Sequence, residues 1–220
     1  MTDVTKWSNV AIAMQSALAA AKTITGITNA APGVVSSTAH GYSNGDYVYL
    51  EIQGMHEIDE SVFRVCNVAT DSFQLEDVSG GTGLDTSDFS AFSSGTAKKI
   101  TFGHSITTAV DMNVSGGNYA DIDTTTIHAN QRSSIPGLPD PTNFTFNNLW
   151  NPTNAGQVAM KNASRVQGTR AFKFTFGTGG KIMVFVGTVG FNGAPGGNAQ
   201  DKVTSQAVIK SKGVLNYYSA

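Results

Sequence analysis

The chain has 220 residues, of which 40% are hydrophobic and 14% are charged. This length is sufficient to bury a sizeable core, and a charged content below the usual quarter or so indicates surface that is covered by other chains. The formal net charge of -2, without any block of lysine and arginine, argues against tight binding to a nucleic-acid backbone. The single Cys66 excludes an internal disulfide, and the many Gly, Ser and Thr residues favour an all-β class.

The first predicted element is the apolar run at residues 10–21. Its hydrophobic residues satisfy both the helical period and the alternation of a strand, so periodicity leaves both structures open. Alanine dominates the run, and alanine has the highest helix propensity. Gln15 and Ser16 interrupt the run, which therefore fits neither a signal peptide nor a membrane span. We accordingly expect the protein to stay in the cytoplasm until it is assembled.

Residues 27–99 have the pattern of a separate small module. Ser43-Asn44-Gly45-Asp46 is a tight-turn signal, because Asn-Gly pairs adopt the positive φ angles that such turns require. A stretch rich in Gly, Ser, Thr and Asp at residues 78–94 predicts a loop. Five short strand candidates have the spacing of a small β-barrel, and they lie at residues 34–35, 47–52, 62–68, 73–75 and 97–102.

Two groups of ionisable residues could indicate a metal site or a catalytic site, namely His56 with Glu57, Asp59 and Glu60, and His128 with Asp121 and Asp123. The first group has donor types that bind metal ions, but a solvated loop is the simpler explanation for it. The second group lacks a nearby nucleophile and lies in a Thr-rich segment that is typical of an interaction loop. We therefore expect no catalytic residue, no cofactor and no metal ion.

Residues 116–134 are predicted to form a long loop. Its length and polarity would let it reach a neighbouring subunit, and structureless loops of this size usually carry function. The sequence Pro136-Gly137-Leu138-Pro139-Asp140-Pro141 then predicts a rigid turn. Each proline fixes its own φ angle and restrains the residue before it.

Strands and one helix are predicted in the remaining part of the chain. Asn151-Pro152-Thr153-Asn154 offers an N-cap side chain and a first-turn proline, and helical spacing continues until Gly168, so we expect one helix of about three turns. The strand candidates are the segment around Phe144 and Phe146, the hairpin of residues 171–176 and 182–189 that turns at Gly177-Thr178-Gly179-Gly180, and residues 203–210.

This order of elements resembles the major tail tube proteins of long-tailed bacteriophages. The resemblance covers residues 116–220 and depends on the order and spacing of the Pro-Gly-Leu turn, the Phe-Thr-Phe strand, the helix, the hairpin and the long terminal strand. Asp123-Thr124-Thr125-Thr126 and Arg132 add to it, because the family usually has a Thr-rich, Arg-containing loop before that turn. The sequence from His40 to Asp46 resembles the turn of a small β-barrel module that recurs in phage structural proteins. The resemblance also favours a strand at residues 10–21.

The resemblance implies a mostly β fold in which two packed antiparallel sheets carry one flanking helix and a small inserted β-barrel module. Residues 1–26 and 100–220 would form the tail-tube domain, and residues 27–99 the outward-projecting insertion. It implies a structural virion protein, not an enzyme, whose hexameric rings stack into a noncontractile tail tube for DNA ejection. The partners would be other copies, tape-measure, tail-tip and tail-terminator proteins, and double-stranded DNA that passes without tight binding, but no membrane.

Nine residues are candidates for subunit or ring contacts within this hypothesis. They are Asp123, Thr124, Thr125, Arg132, Pro136, Gly137 and Leu138 in the loop and turn, and Tyr217 and Tyr218 at the C-terminus. Tyrosines are enriched at buried interface positions, although fraying of the terminus would account for this pair as well. The alternative function is a carbohydrate- or surface-binding β-sandwich of a phage baseplate or a secreted protein. Tyr42, Tyr47 and Tyr49 would then form a platform for sugar.

Overall fold

The computed structural model describes residues 9–78, 80–177 and 180–219. Over these ranges the elements are, in chain order, β1 Val10–Leu18, β2 Lys22–Ile24, β3 Gly26–Ile27, β4 Val35–Ser36, β5 Tyr47–Gln53, β6 Val62–Cys66, β7 Ser72–Leu75, β8 Ser94–Ser105, β9 Ala109–Ser115, β10 Tyr119–Asp123, β11 Ser134–Pro139, β12 Asn143–Leu149, α1 Ala155–Arg165, β13 Thr169–Phe176, β14 Ile182–Gly190 and β15 Thr204–Tyr218. The middle of the predicted turn at residues 177–180 and the first eight residues of the predicted 1–26 segment lie outside the described residues.

One antiparallel sheet of 13 strands contains most of these elements, in the order β3-β4-β7-β6-β5-β8-β1-β13-β14-β15-β12-β9, with β2 paired to β8. Strands β10 and β11 form a separate two-stranded sheet. Strand β8 joins the two halves of the large sheet, because its residues 94–99 pair with β5 and its residues 100–105 pair with β1. The predicted mostly β fold with one helix is confirmed, and its N-terminal run is a strand.

The large sheet curls so strongly that its own faces pack against each other. The rings of Phe146 on β12 and Phe174 on β13 stack with their centroids 5.8 Å apart, although β14 and β15 lie between these strands. Strands in a flat sheet are spaced about 4.8 Å apart, so three steps would separate the two residues by roughly 14 Å. The packed layers of this fold therefore belong to one continuous sheet whose concave side is filled by phenylalanine.

Helix α1 closes one side of this core. Its N-cap is Asn154, whose side-chain oxygen accepts hydrogen bonds from the backbone N–H groups of Gly156 at 3.0 Å and Gln157 at 3.2 Å. Pro152 lies before this cap, so the prediction of a first-turn proline is wrong. Met160 and Ala163 point into the phenylalanine core. Among the described residues, no helix has the length and hydropathy that crossing a bilayer requires.

Residues 22–105 contain a closed ring of strands with its own hydrophobic core, which is separate from the phenylalanine core. Strand β2 pairs with β8, β3 pairs with β4, and only Thr25 separates β2 from β3. The pairings β8-β5, β5-β6, β6-β7 and β7-β4 complete the ring. Val48, Leu50 and Phe73 are fully buried in the cluster inside it. The division of the chain into a tail-tube domain and an insertion at residues 27–99 stays a prediction.

A third cluster joins these two cores across strand β14. Phe185 of this strand faces the phenylalanine core, whereas Val184 and Val186 face a cluster that includes Val62 of β6. Tyr218 of β15 is buried in the same cluster. Strand β6 therefore packs on the face of β14 that is opposite to the phenylalanine core. The side chain of Tyr218 is buried between β6 and this face.

Candidate assembly surfaces

Strand β9 ends the large sheet with an open edge. It pairs with β12 on one side, and no strand among the described residues pairs with its other side. None of its seven residues is buried, and both Val110 and Val114 are exposed. The strand contains neither lysine nor proline, the residues that commonly protect edges from pairing with another chain. This edge is therefore available for hydrogen bonding to a further strand.

Beyond β9, the chain leaves the sheet and forms a β-hairpin, here called the arm, from strands β10 and β11 and the tip between them. Gly116 and Gly117 have φ angles of +84° and +80° at its base, and the N–H of Gly117 donates to the carbonyl of Asp140 at 3.1 Å. At the tip, the N–H of Thr124 donates to the carbonyl of Ser133 at 2.9 Å. Two predictions are therefore wrong, because residues 116–134 are not a structureless loop and residues 136–139 are strand, not turn.

The arm is exposed on both faces, and its strand β10 places isoleucine on one face and aspartate on the other. Ile122 is paired with Ile135 across the two strands, and Asp121 and Asp123 point to the other side of β10, because successive strand residues alternate. Ile127 at the tip is 96% exposed. The apolar groups of the arm gain no burial within its own subunit and are therefore available for contact with another chain.

Seven of the nine predicted contact residues lie together on the arm. Asp123, Thr124 and Thr125 begin the tip, where hydrogen bonds from the hydroxyl and N–H of Thr125 lower the pKa of Asp123. Arg132 ends the tip and forms no salt bridge among the described residues. Pro136, Gly137 and Leu138 lie in β11, where Leu138 is exposed.

The other two predicted residues, Tyr217 and Tyr218, lie in β15, away from the arm. Tyr218 is 1% exposed and Tyr217 is 47% exposed. The N–H of Arg64 donates to the phenol oxygen of Tyr218 at 3.0 Å, and the Arg64 guanidinium lies 4.8 Å from the centre of its ring. The terminus is therefore paired and not frayed, and Tyr217 is the member of the pair whose side chain remains open to another chain.

The end of β15 runs alongside the start of β6. Lys212 forms a salt bridge with Glu60 at 2.6 Å. The amide of Asn216 donates to the carbonyl of Val62 at 2.6 Å. Arg64, which contacts Tyr218, also forms an ion pair with the buried Glu76. The C-terminal strand therefore fixes the ring of strands at residues 22–105 to the other half of the large sheet.

An apolar groove that the sequence did not predict lies between the start of β1 and the start of β9. It has a volume of about 190 Å³, and its lining residues include Val10, Ile12, Ile106, Val110 and Met112, together with Asp111. The two strands are far apart in the sequence, and only the curl of the sheet places them side by side. No local pattern could have indicated this groove.

The group around His56 is divided among separate structural contacts. Asp59 accepts hydrogen bonds from the N–H groups of Ile52 and Glu60 at 2.7 and 2.9 Å, and Glu57 accepts from Ser90 at 2.9 Å. The described residues contain no cluster of three or more groups that could hold a metal ion. These carboxylates stabilise loops of their own chain.

The three tyrosines of the predicted sugar platform do not share one exposed surface. Tyr42 is buried in the core of the strand ring, and its hydroxyl donates to the carbonyl of Ala97 at 2.8 Å. Tyr47 and Tyr49 lie in the cluster that faces β14 instead. Burial, together with the nearby carboxylates of Glu60, Glu51 and Asp59, raises the pKa of Tyr49 to about 12. Tyr42 is therefore not available to contact a sugar.

Comparison with known proteins gives the family of the chain. A search among curated proteins found no match. The family model described as phage tail tube protein, TTP, matches residues 53–220. The match begins at the end of β5 and includes β9, the arm, α1 and the paired end of β15. Because it covers more than half of the chain, the protein belongs to the phage tail tube family and is a structural component of the virion tail that assembles with itself into a tube.

Proposed function

We propose that this chain forms hexameric rings, and that the rings stack into a hollow, noncontractile tail tube through which DNA is ejected into the host. Assembly would take place in the host cytoplasm, with a tape-measure protein inside the tube and tail-tip and tail-terminator proteins at its ends. Membership of the tail tube family supports a tube of repeated copies. The proposal adds to this tube the six-fold ring, the passage of DNA and the named partner proteins.

The observation that carries this proposal is the open edge of β9. A seven-residue strand with exposed Val110 and Val114 would promote disordered aggregation if it stayed unpaired. Pairing with a strand of the next copy satisfies its free N–H and C=O groups. A head-to-tail contact of this kind gives a closed ring when its rotation closes. Each such contact needs to bury more than about 1,000 Å² to be stable.

The arm would add the contacts between copies that the sheet edge alone cannot make. Asp123, Thr124, Thr125, Arg132, Pro136, Gly137 and Leu138 all lie on it, and none of them is buried within the subunit. Tyr217 is the further candidate at the C-terminus. These residues are proposed to contact a neighbouring subunit or ring.

Residues 27–99 would form a module inserted in the tail-tube domain and projecting outward. A buried cluster and a ring of pairings support such a module, and both also include β2, which lies before residue 27. A module outside the tube would leave little room for a contractile sheath, which is why a noncontractile tail is proposed. The net charge of -2 is consistent with DNA that slides through the tube and does not bind it tightly.

Negative-stain electron microscopy of the purified, concentrated protein tests the proposal. We expect rings and hollow tubes of uniform diameter with a regular axial repeat. Val114→Lys on β9 should abolish them, since an edge lysine opposes strand pairing. Val158→Lys on α1 is the matched control, because Val158 and Val114 are 42% and 50% exposed, and it should form tubes. Dispersed monomers of the unmodified chain, or normal tubes of Val114→Lys, would contradict the proposal.

A further inference from the structure

Two apolar features of the chain lie at opposite ends of β9. The groove is lined by Val110 and Met112 near the start of the strand, whereas the arm departs after Ser115 at its end. The tip of the arm presents Ile127, which is 96% exposed. A groove and a projecting side chain of this kind are complementary, because each exposes apolar surface that the other could cover.

The tip does not occupy the groove of its own chain, because Ile127 is 96% exposed. The groove lies near the start of β9, and the arm begins at the other end of this seven-residue strand. The groove is therefore open to the tip of a second copy. The resulting contact is heterologous, since each copy contributes its arm at one end and its groove at the other.

Charges beside the two features are complementary as well. Asp111 lines the groove and accepts a hydrogen bond from the amide of Asn147 at 2.7 Å. Arg132 lies in the tip of the arm and is exposed. Neither residue takes part in a salt bridge among the described residues. Pairing them between copies would orient the tip as Ile127 enters the groove.

We propose that the arm tip of one copy docks in the groove between β1 and β9 of the next copy, with Ile127 in the apolar groove and Arg132 beside Asp111. This inference rests on the proposed tube, and it names the surface that receives the arm. Docking of this kind gives every contact the same direction along the assembly. One end of the assembly then has a free arm, and the other end has an empty groove.

Disulfide trapping in assembled tubes tests the docking. The variant Ile127→Cys with Val110→Cys should give intermolecular cross-linked ladders on mild oxidation. The control Ile127→Cys with Val158→Cys, which places the second thiol on α1, should stay monomeric on a denaturing gel. Cys66 is buried and should give no cross-link by itself. Tubes without the Val110 cross-link, or with a cross-link to Val158 instead, would overturn the docking while leaving the tube intact, whereas absence of tubes from the unmodified chain would refute the proposed function.

A charge exchange decides the question if the cysteine variants fail to assemble. Arg132→Asp and Asp111→Arg should each reduce tube yield at least tenfold, because each places like charges together. The double variant should recover most of the yield. Unchanged yield in the single variants, or no recovery in the double variant, would overturn the docking. Circular dichroism of each monomer checks that the loss is one of assembly and not of folding.

Discussion

The phenol oxygen of Tyr218 accepts a hydrogen bond from the backbone N–H of Arg64 at 3.0 Å, across 154 positions of the chain. The same arginine donates to the carbonyl of Ser219 at 2.8 Å and is ion-paired with Glu76. The last strand is thus attached to β6 by the side chains of one arginine and one tyrosine. This attachment couples the strand ring at residues 22–105 to the half of the large sheet that carries the proposed assembly surfaces.

Removal of the Tyr218 hydroxyl should weaken this attachment. The variant Tyr218→Phe leaves the N–H of Arg64 without this acceptor in a partly buried site, and we expect a loss of about 1–3 kcal/mol in the free energy of unfolding. Denaturant unfolding followed by circular dichroism measures it. Tyr217→Phe is the matched control, since that side chain is half exposed, and its stability should change by less than about 0.5 kcal/mol. Equal stabilities of the two variants would show that the hydrogen bond contributes nothing.

Acid should weaken the same attachment of β15 to β6. Burial raises the pKa of Glu76, but hydrogen bonds from Arg64 and from the N–H of Gly81, with the charge of Arg64, outweigh burial and hold it below its ordinary value of 4.5. A carboxyl with a lowered pKa stabilises the fold fully above its unfolded pKa and loses that contribution as the pH falls through the folded value. Stability should therefore decrease below about pH 5.

The variant Glu76→Gln isolates this effect. It should lose about 3 kcal/mol at neutral pH, because it leaves the largely buried Arg64 without its counter-charge. Its stability should also depend less on pH in the acid range than that of the unmodified chain. Glu51→Gln serves as the control, since Glu51 forms a surface salt bridge with Lys98 at 2.7 Å. Loss of such a surface salt bridge should lower the free energy of unfolding by only about 0.5 kcal/mol. Parallel pH profiles of Glu76→Gln and the unmodified chain would refute this role for Glu76.

Gly213 lies where β15 passes close to the two residues before β6, Glu60 and Ser61. Its φ angle is +68°, and a Cβ atom there would lie 2.5 Å from the hydroxyl oxygen of Ser61 and 2.8 Å from the carbonyl oxygen of Glu60. Gly213→Ala should lose about 2–4 kcal/mol in thermal or denaturant unfolding, from backbone strain and overpacking together. Gly41→Ala has a similar φ angle of +71° with nothing within 4 Å, and should lose only about 1–2 kcal/mol. A loss no larger at Gly213 than at Gly41 would contradict the close approach.

Deletion of the arm should separate folding from assembly. Removing residues 118–139 joins Gly117 to Asp140, which already contact each other through a backbone hydrogen bond of 3.1 Å. The arm contributes no residue to the buried clusters, so the unfolding midpoint should change little. Electron microscopy should show no tubes. Normal tubes from the shortened chain would exclude the arm as an assembly element.

Several elements could be predicted because their buried faces produce a period in the sequence. Phe172 and Phe174 alternate with polar residues in β13, and helical spacing with the cap at Asn154 indicates α1. The arm gave no such signal. Its strands β10 and β11 lack a buried face, so alternation carries no hydrophobic period, and the prolines of β11 favoured a turn.

The proposed assembly surfaces are products of tertiary structure. The groove requires β1 and β9 to approach through the curl of the sheet, and the pair of Arg64 with Tyr218 joins positions with no sequence relation. Of the contact candidates, Thr124 and Arg132 were found because they follow a family pattern. Ile127 and Val110 were not found, because exposure of an apolar residue cannot be recognised before its neighbours are known.

The most direct test of the central claim is a cryo-electron microscopy reconstruction of tubes assembled from the unmodified chain. We predict stacked six-fold rings in which β9 of each copy is hydrogen-bonded to a strand of a neighbouring copy. A tube in which β9 remains an unpaired edge, or a preparation that stays monomeric at high concentration, would contradict the claim that this edge builds the tail tube.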